Sequence, residues 1–178
     1  MNLLLSDTAL PETLPVLPET FYVDLSQLQI GSCLGCFSCW VKTPGRCVLR
    51  DDAAAIYPLI ACSDQLLYVS RVYCGSYDVP MKQMLERSIP VQQAFIRLHH
   101  GETHHVQRAV AEKAAVIIAY GDILPIEQDI FRALVARNAY NMNFRSYRIR
   151  FVSEAERDET ILEEIGRASC RERVCKQV

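Results

Sequence analysis

Two runs, "QLLYVS" at 65–70 and "AAVIIAY" at 114–120, are apolar at nearly every position. A strand that is half-covered alternates in polarity, so runs like these belong to strands buried on both faces. Three further runs complete the set. "NLLLS" (2–6) and "FYVDL" (21–25) are short and β-prone, and "SYRIRFVS" (146–153) alternates Tyr147, Ile149 and Phe151 with arginines, as suits an edge strand. Helical stretches lie between them. "DDAAAIYPLIAC" opens on Asp51 and Asp52, expected as N-terminal caps, and "PIEQDIFRALVARNAYNM" has Pro125 in its first turn. The alternation predicts an α/β chain with a five-stranded, mostly parallel sheet and helices on both faces. Ligand-binding loops then fall at the carboxyl ends of the strands.

Two stretches break this rhythm. Between the first two strands, Pro11, Pro15 and Pro18 stand where a crossover helix belongs. Each costs ~3 kcal/mol in a helix interior, so the first crossover helix is expected to be missing or degenerate. From Pro90 to Arg108 the chain makes an excursion that includes "HHGETHH", with His99, His100, His104 and His105 around Glu102. A solvated polar loop is the favoured reading, and a metal site the alternative. Lys82 and Arg87 are expected on a helix, with no chemistry assigned to them.

The end of the chain, "EIGRASCRERVC" (164–175), has no continuing apolar period. It resembles the translation of a sequencing-library adaptor, so 164–178 is expected to be a non-native tail behind a single domain at 1–163. Cys170 and Cys175 are then not ligands.

Composition narrows the class of function. A net charge of -2 points to neither nucleic acid nor an anionic membrane surface. No apolar run reaches the roughly 18 residues that span a bilayer. "MNLLLSD" lacks the basic flank and length of a signal peptide. The expected location is cytoplasmic and reducing, where clustered thiols mean metal or catalysis more often than disulfides.

Such a cluster is present. "CLGCFSCWVKTPGRC" (33–47) holds four of the chain's eight cysteines in a C-x2-C-x2-C-x7-C array: Cys33, Cys36, Cys39 and Cys47. Successive two-residue gaps let a tight loop converge on a cuboidal [4Fe–4S] cluster, with the fourth ligand returning from farther along. Gly35 and Gly45 give the backbone the freedom to wrap. Zinc more often uses two separated C-x2-C knuckles. Redox thiols, or cysteines merely packed around Phe37 and Trp40, are the other readings.

Two segments in order, "CLGCFSCWVKTPGRCVLRDD" (33–52) and "SDQLLYVSRVYCGSYDVPMKQMLERSIP" (63–90), resemble patterns of the flavodoxin-like NADPH-dependent FMN reductase superfamily. The similarity is nearest to its iron–sulfur flavoprotein branch. The resemblance covers about residues 20 to 153. It implies a three-layer, doubly wound flavodoxin-like fold and a flavin-dependent oxidoreductase with FMN, a [4Fe–4S] cluster and NAD(P)H as electron donor. Its partners would be small-molecule or protein electron donors and acceptors, and its assembly a homo-oligomer. It also implies that Ser70, Val72, Tyr73, Gly75 and Ser76 lie along the flavin ring, with Tyr120 and Gly121 across the pocket. No catalytic acid or base is implied. The other reading is a degenerate flavodoxin-fold module that binds metal or a partner without flavin.

The chain departs from that pattern at two places. Arg71 stands where the family has proline. The phosphate-binding turn after the first strand reads Ser6, Asp7, Thr8, which sets a negative charge where the FMN phosphate would sit. The hydroxyls of Ser6 and Thr8 and the charge of Arg71 are the candidate compensations.

Overall fold

The computed structural model describes residues 1–12, 14 and 20–175, with side chains described to residue 167. Its centre is a parallel sheet of five strands: β1 (Asn2–Ser6), β2 (Thr20–Asp24), β3 (Gln65–Tyr73), β7 (Lys113–Tyr120) and β8 (Phe144–Val152). They run in the order β2-β1-β3-β7-β8, every pair parallel. This is the 2-1-3-4-5 order of flavodoxin-type sheets, whose ligand crevice opens where the winding reverses, between β1 and β3. All five expected strands are present, and "SYRIRFVS" does lie at an edge. A two-residue strand, β4 (Ser76–Tyr77), folds back antiparallel on the end of β3.

Period-two alternation sorts the sheet residues onto two faces. Leu3, Leu5, Leu66, Tyr68, Ala115, Ile117 and Ala119 point to one side. There they meet α2 (Ala53–Cys62), α3 (Val79–Glu86) and α4 (Pro125–Asn141), which contribute Ile56, Ile60, Met81, Met84, Phe131 and Val135. Phe131, fully buried, packs edge-on against Tyr77 at 4.8 Å and Phe151 at 6.0 Å. Leu4, Val69, Ile118 and Tyr120 point to the other side, against Ile161 and Ile165 of α5 (Arg157–Cys175) and Leu14. Among the described residues, three helices therefore cover one face and one covers the other.

The described part of the β1–β2 connection, residues 7–12 and 14, contains no helix, as its prolines require. Pro15 and Pro18 lie outside the described residues. On the face where that helix would pack, a cleft of about 50 Å³ remains, lined by Leu4, Thr20, Leu67, Val116, Glu164 and Ile165.

Two expectations change. The stretch from Pro90 to Arg108 is not a loop but a hairpin, β5 (Gln92–His99) and β6 (Glu102–Gln107), forming its own two-stranded sheet. His100 and Gly101 make its tip, both with positive φ. Asp52, the N-cap residue of α2, makes no capping bond with its side chain: its carboxylate accepts the Gln29 amide of the preceding loop, as Asp51 accepts that of Gly31. The tail is continuous with α5, and within it Glu164 and Ile165 are buried. Glu164 accepts from Arg148, Arg150 and Arg167.

Candidate functional site: the strand-end crevice and the cysteine loop

The crevice begins where β1 ends. Ser6 and Thr8 are occupied with each other: the Ser6 hydroxyl donates to the Thr8 carbonyl at 2.6 Å and accepts from its amide at 3.3 Å. Asp7, only 8% exposed, turns inward across the ends of β3 and β7. Its Oδ2 accepts the Arg71 amide at 2.6 Å and lies 2.9 Å from the Ser70 hydroxyl. That hydroxyl is equally close to the Arg71 carbonyl and donates to one acceptor at a time. Asp7 Oδ1 accepts the Tyr120 hydroxyl at 2.9 Å. Burial raises the Asp7 carboxyl above its ordinary value, while the bonds from Tyr120, Arg71 and Ser70 pull it back without cancelling the shift. The same burial, with Asp7 beside it, raises the Tyr120 phenol to about 12.

Arg71, the candidate counter-charge, is turned to a carboxylate of the chain itself. Its guanidinium bonds both oxygens of Glu154 at 3.0 Å and lies 5.2 Å from the centre of the Tyr120 ring.

The residues expected along a flavin ring spread over three environments. Ser70 and Tyr120 are buried and bonded to Asp7, and Val72 is buried in the main core. Tyr73 is 69% exposed at the end of β3. Gly75 and Ser76 belong to the β3–β4 hairpin, whose turn is Cys74–Gly75, with φ of 50° and 69°. Both central residues of a two-residue hairpin loop need positive φ in this turn type, which explains the glycine. Space demands it too, since a Cβ there would lie 2.7 Å from Ile130 Cγ2 of α4. Gly121 follows β7 at a φ of 127°, beside Arg71 and Val72.

The cysteine loop forms the second half of the site. Cys33, Cys36, Cys39 and Cys47 all line one narrow cavity of about 40 Å³, walled by Leu34, Val48, Leu49 and Ile89. Cys39 stands in the single turn α1 (Ser38–Val41). Burial raises its thiol, and the neighbouring Cys47, Cys33 and Cys36 raise it further, so the four sulfurs share one electrostatic environment. Cys36, exposed, is held lower by hydrogen bonds with Ser38. The hairpin braces this loop, since the Trp40 ring packs at a tilt against His105 of β6 at 4.5 Å, as it does against Phe37 of the loop at 5.4 Å.

Among the described residues, no three His, Cys, Asp or Glu side chains come together as a site for a metal ion. The histidines are placed structurally. His104 bonds Glu102 and Asn141, and His105 bonds the Gln93 carbonyl.

Arg87 had no assigned chemistry, yet it ties the site together. It is 1% exposed and forks onto Asp51 at 2.5 and 2.8 Å while donating to the Gly31 carbonyl at 2.7 Å. The end of α3 thereby fixes the entry to the cysteine loop. Burial lowers its pKa, but Asp51 and the nearby Cys47 thiol more than reverse this. Its Nε has no partner. The sequence signal was "DD" (51–52) closing the cysteine segment opposite "ER" (86–87) closing α3.

As a donor set the four cysteines suit a [4Fe–4S] cluster. In such a cluster each thiolate binds its own iron, so sulfurs ring a space rather than meet at one ion. The narrow cavity has to widen around a cluster, and the loop turns at Gly35 and Gly45, with φ of 61° and 81°. The phosphate end of FMN fits less well. Asp7 occupies the crevice where an anion is received, and the described residues after β1 offer no helix N-terminus to receive one.

No protein-family model matches the chain. An iron–sulfur flavoprotein of Methanocaldococcus jannaschii is 30% identical over 77 residues, 43% of this chain and 39% of that protein. One from Archaeoglobus fulgidus is 35% identical over 72 residues, 40% of this chain and 32% of its own length. The chain thus matches only 39% and 32% of the length of these relatives. Among solved structures, an FMN-dependent NADH-azoreductase from Bacillus anthracis, in complex with FMN, superposes with a TM-score of 0.59 at 10% identity. That match covers 96% of this chain and 97% of the other. An NADH:FMN oxidoreductase in its apo form superposes at 0.52 and 11% identity, over 98% and 88%. The chain thus shares the fold of these two solved structures, and the relatives it matches over part of its length are iron–sulfur flavoproteins.

Proposed function

We propose that this chain is an electron-transfer oxidoreductase of the flavin-dependent kind. A [4Fe–4S] cluster would be held by Cys33, Cys36, Cys39 and Cys47, and a flavin would bind at the crevice bordered by Ser70, Tyr73, Gly75 and Gly121. The observation that carries this reading is the enclosure of one cavity by all four cysteines, with the buried Arg87 cation beside Cys47. A bound flavin would supply two-electron exchange with NAD(P)H and one-electron exchange with a cluster. The chain's own contribution is positional. Arg87 and Asp51 anchor the cysteine loop, Trp40 and His105 brace it, and the β3–β4 hairpin sets the exposed Tyr73 at the crevice rim.

The proposed assembly is a homo-oligomer. Phe95, Ile96 and Leu98 on β5 are 72%, 64% and 81% exposed, an apolar group that a second copy would cover. Cytoplasmic location is part of the same proposal, in keeping with the reduced cysteines it requires. No helix among the described residues is long and apolar enough to cross a membrane.

Anaerobic purification tests the cluster. The expected result is broad visible absorbance with on the order of four irons per chain. Cys36→Ala should bleach it while leaving the far-ultraviolet circular dichroism unchanged. A colourless, iron-free protein that stays so after reconstitution with iron and sulfide would sink the proposal. The position of Asp7 favours one alternative, a cysteine module of the same fold without flavin; iron-linked colour with no flavin binding would establish it.

A further inference from the structure

In 2-1-3-4-5 sheets an anionic ligand is received at the end of the first strand, where free amides and a following helix would attract it. In this chain that place is already filled from within. Asp7 follows β1 directly and holds the Arg71 amide, the Tyr120 hydroxyl and, in alternation with the Arg71 carbonyl, the Ser70 hydroxyl. These donors come from the ends of β3 and β7, the two strands next to β1 on the winding side. The cation that could balance a second anion, Arg71, is committed to Glu154 through both carboxylate oxygens. Arg157, which also lies 5.2 Å from the centre of the Tyr120 ring, is paired with Asp158 at 2.8 Å. Asp78, which caps α3 nearby, adds a further negative charge that Asp7 feels. A phosphate dianion entering here would meet two carboxylates and no uncommitted cation among these groups.

We infer that Asp7 is the built-in anion of this crevice, so the flavin this chain accepts is one without a terminal phosphate, riboflavin rather than FMN. The inference rests on the flavin reading above and deepens it by naming the ligand class. It inverts the usual logic of the fold, in which phosphate contacts supply much of the affinity and the ring is held by what remains. Here the ring end has to carry recognition, through the exposed Tyr73 and the backbone around Gly121.

Titration of the full-length protein with riboflavin and with FMN, read by flavin fluorescence in phosphate-free buffer, tests this. Riboflavin should bind as tightly as FMN or tighter. Asp7→Ser and Asp7→Asn should each shift the preference toward FMN by about tenfold or more, which is the scale of one lost charge contact. Asn keeps the shape and an acceptor for Arg71 and Ser70, so one variant remains interpretable if serine unsettles the fold. The wild-type comparison stands without either. FMN binding to wild type about tenfold tighter than riboflavin would overturn the inference and leave the flavin reading intact. Failure of both flavins to bind would overturn the two together.

Discussion

At the scale of single residues, the site depends on one buried cation. Arg87 was legible as a helix-end residue but not as a tether, because nothing local in "LERS" announces a partner 36 positions away. Its role comes from the fold, which brings the end of α3 under the entry to the cysteine loop. Removing one member of a buried pair strands the other, so Arg87→Leu should lower unfolding stability on the order of 3 kcal/mol in urea titrations. Arg87→Lys should recover only part, since it keeps charge but loses the fork. The Arg87 bond holds the Asp51 carboxyl below its ordinary range against the opposing effect of burial. A carboxyl depressed in the folded state contributes stability above its unfolded pKa and loses it as pH falls through the folded one. The stability gap between wild type and Asp51→Asn should therefore be full at neutral pH and close on acidification. A gap unchanged by acid would rule out the ionised pair.

At the scale of elements, β3 and β7 were readable because burial on both faces leaves an apolar run, and β8 because its apolar residues alternate with arginines. The β5–β6 hairpin was not, because "QQAFIRLHHGETHHVQ" mixes polar and apolar residues without a protected face. Its order comes from pairing with itself and from Trp40 against His105. The β3–β4 hairpin was hidden in the same way. A glycine suited to approaching a flat ligand is equally suited to a tight turn pressed on a helix, and the structure presents the second. Gly75→Ala meets both a left-handed backbone and Ile130, and should cost about 2 kcal/mol. Pairing it with Ile130→Gly removes both colliding atoms, Cγ2 and Cβ, but not the backbone strain. The double variant should thus fall short of the sum of the two single effects in a thermal-melt cycle. Strict additivity would mean that the contact does not matter.

At the scale of the molecule, alternation gave a mostly parallel sheet with helices on both faces, while the order β2-β1-β3-β7-β8 was implied only by the resemblance to flavodoxin-like proteins. Which end of the crevice fails to match a phosphate was also visible in Ser6-Asp7-Thr8. What could not be read was that Asp7 turns inward to Tyr120, a contact spanning 113 positions. Assembly belongs to this scale as well. Sedimentation equilibrium should give a multiple of 20.2 kDa, and Phe95→Glu with Leu98→Glu should reduce it to one chain. A wild-type mass of 20.2 kDa at micromolar concentration would end the oligomer proposal. The one-sided helix distribution has a consequence of its own. Among the described residues β2 pairs with β1 alone, and a cleft lies beside Leu4, Thr20 and Leu67. The backbone hydrogen bonds of β2 are then the cheapest in the sheet to break, while those between β3 and β7 stay shut until the whole chain opens. The protein carries a graded order of opening, with its loosest ladder adjoining the strand that delivers Asp7.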